Sequence, residues 1–136
     1  MPKIDIAKVP VDSRTNYPEP FNRAVEGRLR RRLGNAAGLD QFGVNLTTLK
    51  PGSATALRHW HEKEDELFYV IAGRLRMRFR DRDAIVNPGE FIVVPRGVEH
   101  MPVAEVETHV MLLEPKSTLN TGNVRNERTV ETLQRI

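Results

Sequence analysis

The chain has four histidines and no cysteine in its 136 residues. A metal held by this protein must therefore bind through nitrogen and oxygen. Disulfides, thiolate sites and cysteine nucleophiles are excluded. His59-Trp60-His61 puts two imidazoles two residues apart. In an extended segment both project from one face and Trp60 from the other. Glu66 follows the polar stretch Glu62-Lys63-Glu64-Asp65 and can open a return strand that points back at the pair. His100 lies just past the turn Pro95-Arg96-Gly97, where a neighbouring strand would deliver it. Three imidazoles and one carboxylate form a set suited to Fe(II), Mn(II), Ni(II), Cu(II) or Zn(II). It leaves coordination positions open for water or substrate.

Each residue also has an ordinary reading. His-x-His can be a polar surface pair, Glu66 a solvated turn residue, and His100 a loop hydrogen-bonder. His109, between Thr108 and Val110, reads as an outward or interfacial residue. No serine, lysine or second carboxylate stands out beside the four, so no catalytic acid or base is assigned.

The elements that must position these residues read as β. Phe42–Leu49 is rich in strand formers and ends at the Pro51-Gly52 turn. Leu67-Phe68-Tyr69-Val70-Ile71 is a continuous apolar run, as for a strand covered on both sides. Leu75, Met77 and Phe79 alternate with Arg76, Arg78 and Arg80, which predicts apolar side chains inward and arginines in water. Ala72-Gly73-Arg74 joins these two strands as a tight hairpin. Turns at Asp81–Asp83, Asn87–Glu90 and Pro95–Gly97 punctuate the rest, with strands at Phe91–Val94 and His109–Glu114. Short strands at this spacing predict an all-β sandwich or barrel. Phe68, Val70, Met77, Phe79 and Phe91 are the expected core or pocket wall, whereas Trp60 and Tyr69 face away from the ligands.

Three zones follow. Residues 1–27 are an N-terminal arm broken by Pro10, Pro18 and Pro20, with a short helical turn near Phe21–Glu26. Residues 28–115 are the barrel. Residues 116–136 are a polar tail ending in a weak helix over Glu127–Ile136. The arm is too poor in apolar anchors to fold alone and is expected on the barrel or on a partner subunit.

The spacing of glycine, proline and ligands resembles the cupin family. Gly52 leads to His59-x-His61, then Glu66 and Gly73, like the first cupin motif. Gly89, then Pro95-x-Gly97 and His100, resemble the second. The resemblance implies a cupin double-stranded β-helix, a jelly-roll barrel, in which His59, His61, Glu66 and His100 are the metal ligands. Two departures stand out: six residues rather than five separate Gly52 from His59, and Ala104 replaces the asparagine that closes the second motif. Neither removes a ligand. The stretches Tyr17–Phe21 and Leu33–Asn45 look like a group of small bacterial cupins of unassigned activity. Glu114-Pro115-Lys116 and Leu119–Gly122 are similar to small cupins grouped with mannose-6-phosphate isomerase. Such grouping reflects the shared barrel and says little about substrate.

The resemblance implies one divalent transition metal (Zn, Fe, Mn or Ni), a small-molecule ligand and a homodimer. It is compatible with dioxygenase, isomerase or lyase chemistry on a small oxygenated substrate. The alternative is a non-catalytic module that binds a small molecule or metal. The net charge of +3 and pI near 9.6 raise the question of nucleic acid. The densest basic run, Arg28-Leu29-Arg30-Arg31-Arg32, reads instead as a charged, solvated edge strand, with steering of anions or an intersubunit contact as alternatives. No nucleic-acid and no membrane partner is expected. Met1–Ile6 lacks the apolar core of a secretory signal, and no apolar run approaches the roughly 20 residues that span a bilayer. A cytoplasmic location is the expectation.

Overall fold

The computed structural model describes residues 2–116. The expected helix over Glu127–Ile136 lies outside them. Among the described residues, nine antiparallel strands form two sheets. They are β1 (Val11–Asp12), β2 (Arg28–Arg32), β3 (Phe42–Leu49), β4 (Glu66–Ala72), β5 (Leu75–Phe79), β6 (Asp83–Val86), β7 (Phe91–Val94), β8 (His100–Ala104) and β9 (Thr108–Pro115). The larger sheet runs β1-β2-β3-β9-β4-β7 and the smaller β6-β5-β8. Their inner faces enclose Leu49, Phe68, Val70, Leu75, Met77, Val86, Val94, Ala104 and Val110, all nearly inaccessible to solvent. The all-β expectation holds, and no described helix is long and apolar enough to cross a membrane.

Alternation explains most of the packing. In β5, Leu75 and Met77 are buried while Arg78 is exposed and Arg76 pairs with Glu105 and Asp83 at the surface. In β4, Glu66, Phe68 and Val70 face inward. The strand is not covered on both sides, however: Tyr69 and Ile71 are exposed. Among the described residues no helix covers the outer face of β4, so an apolar run here marks an open apolar face and not a sandwiched strand. Phe91 is also corrected. It is 62% exposed, because it sits directly opposite Tyr69 on that outer face. Phe68, Val70 and Met77 are core, as expected, and Phe79 packs against it.

Among the described residues there are three short helical segments, the first a 3-10 turn over Ile6–Lys8 in the arm. The turn expected near Phe21–Glu26 is a 3-10 helix over Phe21–Val25. Leu33–Ala37, expected as part of the β zone, forms one α-helical turn, α1. It ends at Gly38, whose positive φ of 76° gives the left-handed cap that glycine adopts without strain. The arm lies on the barrel: β1 pairs with β2, and Tyr17 is buried.

Candidate metal centre

The four candidate ligands come from three places in the chain. Glu66 opens β4 and points inward by the same alternation that buries Phe68 and Val70. His100 opens β8, alternating inward with Pro102 and Ala104. His59 and His61 do not lie on a regular strand, which corrects the sequence expectation. Their segment is irregular and is fixed to β8 by one bridge, in which His59 N–H donates to the His100 carbonyl at 3.1 Å and His100 N–H donates to the His59 carbonyl at 2.9 Å. The Gly97 N–H then donates to the His61 carbonyl at 2.6 Å. The segment is extended enough at this point to keep both imidazoles on one side, and Trp60 turns to the opposite one, where it lines a surface hollow with Phe79 and Val98. The arm helps hold the loop, because the Leu57 N–H donates to the Tyr17 hydroxyl at 3.2 Å.

All four side chains are buried, and one ligand atom from each lies within 4.8 Å of every other. His59 Nε2 and His61 Nε2 are 3.1 Å apart. His100 Nε2 is 3.0 Å from Glu66 Oε2, and His61 Nε2 contacts Glu66 Oε1. Atoms bonded to a common ion at about 2.1 Å would lie about 3 to 4.2 Å from one another, so small side-chain adjustments would let this cluster hold a single divalent ion. The backbone orients two of the rings. His59 Nδ1 donates to the Leu57 carbonyl at 2.5 Å, and His100 Nδ1 to the Val98 carbonyl at 2.9 Å. With an ion in place of the proton on Nε2, a ring whose Nδ1–H is held by a carbonyl turns Nε2 toward the metal. His61 Nδ1 is buried with no partner among the described residues.

Electrostatics agree with the donor set. Burial, reinforced by neighbouring His100, pulls His59 down to about 4, so its ring is neutral at physiological pH. Burial works to raise Glu66, but hydrogen bonds from His100 and His61 outweigh it and hold the carboxyl well below the usual range. A neutral His59 imidazole and an ionised Glu66 carboxylate are the forms in which these two side chains bind a cation.

A cavity of about 100 Å³ is lined by His59, His61 and Glu66 of this cluster. Two features of its wall were missed in the sequence. The first is Glu114, on the inward face of β9 after Thr108, Val110 and Leu112. Burial, and then the charge of Glu66 to which it hydrogen-bonds, push its carboxyl well above the ordinary value. A second carboxylate therefore does stand beside the set; strict alternation along the last strand was the signal for it. The second is the arginine strand. Arg28, Arg30 and Arg32 line the cavity, so β2 is not a solvated edge. It lies between β1 and β3 and turns alternate arginines into the barrel. His109 and Arg96 take no part: His109 faces away from Thr108 and Val110, and Arg96 is exposed at the rim beside Asp65.

Comparison with known proteins agrees with this architecture. The sequence pattern of the Cupin domain family matches residues 45–115, which include all four candidate ligands. The chain belongs to the cupin family. It is 32% identical to a sugar phosphate isomerase of the cupin superfamily from Silicibacter pomeroyi, over 87% of this chain and 78% of that one, with a TM-score of 0.81. It is 25% identical to the polyketide cyclase RemF from Streptomyces resistomycificus, over 85% of this cupin and 78% of RemF, with a TM-score of 0.68. Among curated sequences, Protein SchB of Streptomyces halstedii is 28% identical over 120 residues, covering 83% of this chain and 85% of SchB. The β-barrel and a buried cluster able to hold a metal thus stand together in this cupin.

Proposed function

We propose that this cupin is a metal-dependent enzyme acting on a small oxygenated molecule, with His59, His61, Glu66 and His100 as the ligands. The observation that carries this reading is the convergence of three imidazole Nε2 atoms and one carboxylate at the inner end of an open cavity. A bound Zn, Fe, Mn or Ni ion would supply Lewis acidity toward substrate oxygens, and iron would add redox chemistry with O₂. The chain's own residues do the rest. Phe68, buried and edge-on to His100 with ring centroids 6.1 Å apart, walls the inner end of the site and excludes water there. Glu114 holds a carboxyl group beside Glu66 that can keep or release a proton next to a substrate in the cavity. The names of the two structural relatives, a sugar phosphate isomerase and a polyketide cyclase, support turnover of a small oxygenated compound.

Zinc, manganese, nickel and iron forms should be screened against sugar phosphates, keto acids and polyphenols, with iron tested with and without oxygen. Turnover by the parent that falls at least about 100-fold in Glu114→Gln, with metal content unchanged, is the expected result. Saturable binding with no turnover in any metal form would leave the non-catalytic binding module in its place.

We also propose a homodimer. Tyr69, Ile71, Phe91, Val93 and Leu113 are exposed on the outer face of β4, β7 and β9, an uncharged apolar patch that a second copy can match across a two-fold axis. Light scattering at tens of micromolar should give twice the chain mass of 15.5 kDa, and Phe91→Glu should halve it. A parent that runs only at the chain mass removes the dimer. Arg28, Arg30 and Arg32 face inward and leave no continuous basic stripe on β2, which supports a small-molecule ligand rather than nucleic acid.

A further inference from the structure

The five-residue strand β2 reads Arg28-Leu29-Arg30-Arg31-Arg32, and its alternation divides the arginines into two jobs. Arg31 turns outward. Its Nη1 donates to the carbonyls of Ile6, Ala7 and Val9 at 2.9, 3.2 and 2.8 Å, which fastens the N-terminal arm. Arg28, Arg30 and Arg32 turn the other way. They pair across β3 with Leu49, Thr47 and Asn45, three buried residues of the barrel interior. All three guanidinium side chains line the cavity that ends at the four-ligand cluster.

Their charges are poorly answered within the protein. Arg28 donates to two backbone carbonyls, Thr55 at 2.5 Å and Arg14 at 3.4 Å, and these carry no net charge. Arg32 Nη2 reaches Asp12 Oδ2 at 3.4 Å, but Asp12 also pairs with Arg14 at 2.9 Å. Arg30 has no ion-pair partner among the described residues, and its Nε is buried without an acceptor. Burial, then the charges of Arg28 and Arg32, pull the Arg30 guanidinium down to about 9, against the opposing pull of Asp12 and Glu114. It is still a cation at neutral pH. Three like charges converging in a partly enclosed space oppose folding. A strand of Val and Thr would build the same sheet without that cost, and although Arg28 and Arg32 also hold neighbouring loops, Arg30 has no such structural role. The arrangement has a chemical explanation, because forked guanidinium groups grip the oxygens of phosphates and carboxylates.

We infer that Arg28, Arg30 and Arg32 form an anion-binding wall, so that the molecule presented to the cluster carries a dianionic oxygen group, either a phosphate monoester or a dicarboxylate. The presentation to a metal rests on the proposed function above; the wall itself does not. The wall also lies outside residues 45–115, the stretch matched by the family pattern, so it is not part of the metal motif. Its position on the wall of the same cavity lets one end of a compact ligand be held by β2 while its other oxygens meet the cluster.

The test is titration calorimetry at low ionic strength on chelator-treated, metal-free protein, with inorganic phosphate and malonate as probes. One-to-one binding is expected in the parent. Arg30→Met should weaken it about ten-fold or more, the loss of one charge-assisted pair. Arg78→Met removes the same charge from an exposed site on β5 and should change binding less than about two-fold. Tighter phosphate assigns the monoester and tighter malonate the dicarboxylate. Should Arg30→Met fail to fold, Arg30→Gln reads the same loss. The melting midpoint gives an independent reading. Without phosphate, Arg30→Met should melt higher than the parent, because repulsion is relieved; a purely structural arginine would melt lower. Metal-free His61→Ala should still bind phosphate, so a failed metal site and a failed anion wall give different results. Absence of saturable binding by either probe in folded parent, or equal weakening by Arg78→Met, overturns the inference.

Discussion

His61→Ala and His100→Ala should each yield folded protein with background metal, where the parent purifies with, or takes up, near-stoichiometric metal. Each variant removes one of four buried ligand atoms that lie within 4.8 Å of one another. Affinity should fall by at least about 100-fold, since losing a mere hydrogen-bond partner of a ligand costs up to that much. Elemental analysis reads the loss directly, and His109→Ala is the control, because His109 lies in β9 on the face turned away from the cluster. Thermal melts give a second reading. Metal at about 1,000 times the parent's Kd should stabilise the parent by about 4 kcal/mol and either ligand variant by about 1.4 kcal/mol or less. A parent that takes no metal after anaerobic reconstitution with each candidate ion would sink the metal centre. So would full metal retention in both variants.

Gly73→Ala should be among the most damaging single substitutions outside the site. Gly73 links β4 to β5 with φ of 85°, a region that costs a residue with a side chain about 1 to 2 kcal/mol. An added Cβ would also overlap the Glu107 carbonyl oxygen and lie 2.6 Å from Thr108 Cα. Those are backbone atoms at the start of β9, and the Thr108 hydroxyl ties them to the hairpin by accepting from the Arg74 N–H at 3.1 Å. Neither side can give way, so a total of about 3 kcal/mol or more is expected, a large part of a typical 5 to 15 kcal/mol. The melting point should fall by roughly 10 °C. Gly89→Ala is the matched control. Its φ is 84°, but a Cβ there meets open space, so only the backbone cost of about 1 to 2 kcal/mol remains. Equal, small effects at both glycines would show that the hairpin and β9 are not in close contact.

The two predictions draw on different kinds of information. The candidate ligand set was legible in the chain because metal chemistry restricts residue types. With no cysteine and four histidines, few nitrogen and oxygen sets were available, and the glycine and proline turns fixed their spacing. Strand positions were legible for the same local reason: period-two alternation in β5 and turn residues on either side of β7 do not depend on distant partners. The steric demand on Gly73 was not, because it comes from Glu107 and Thr108, 34 and 35 positions along the chain.

By itself the sequence determined an all-β chain with a three-histidine, one-glutamate set and the turns of a cupin. Only the tertiary structure decided which faces became interior. Alternation divides a strand's side chains into two sets but cannot say which set meets the core, and a strand at the sheet edge and one within it read alike. That is why the arginines of β2 looked solvated and Phe91 looked buried, when β2 lines the cavity and Phe91 faces outward. It is also why Glu114 went unnoticed, since its chemistry arises from Glu66, brought beside it by the pairing of β4 with β9. Proximity across the barrel, between residues far apart in the chain, set what the cavity can bind.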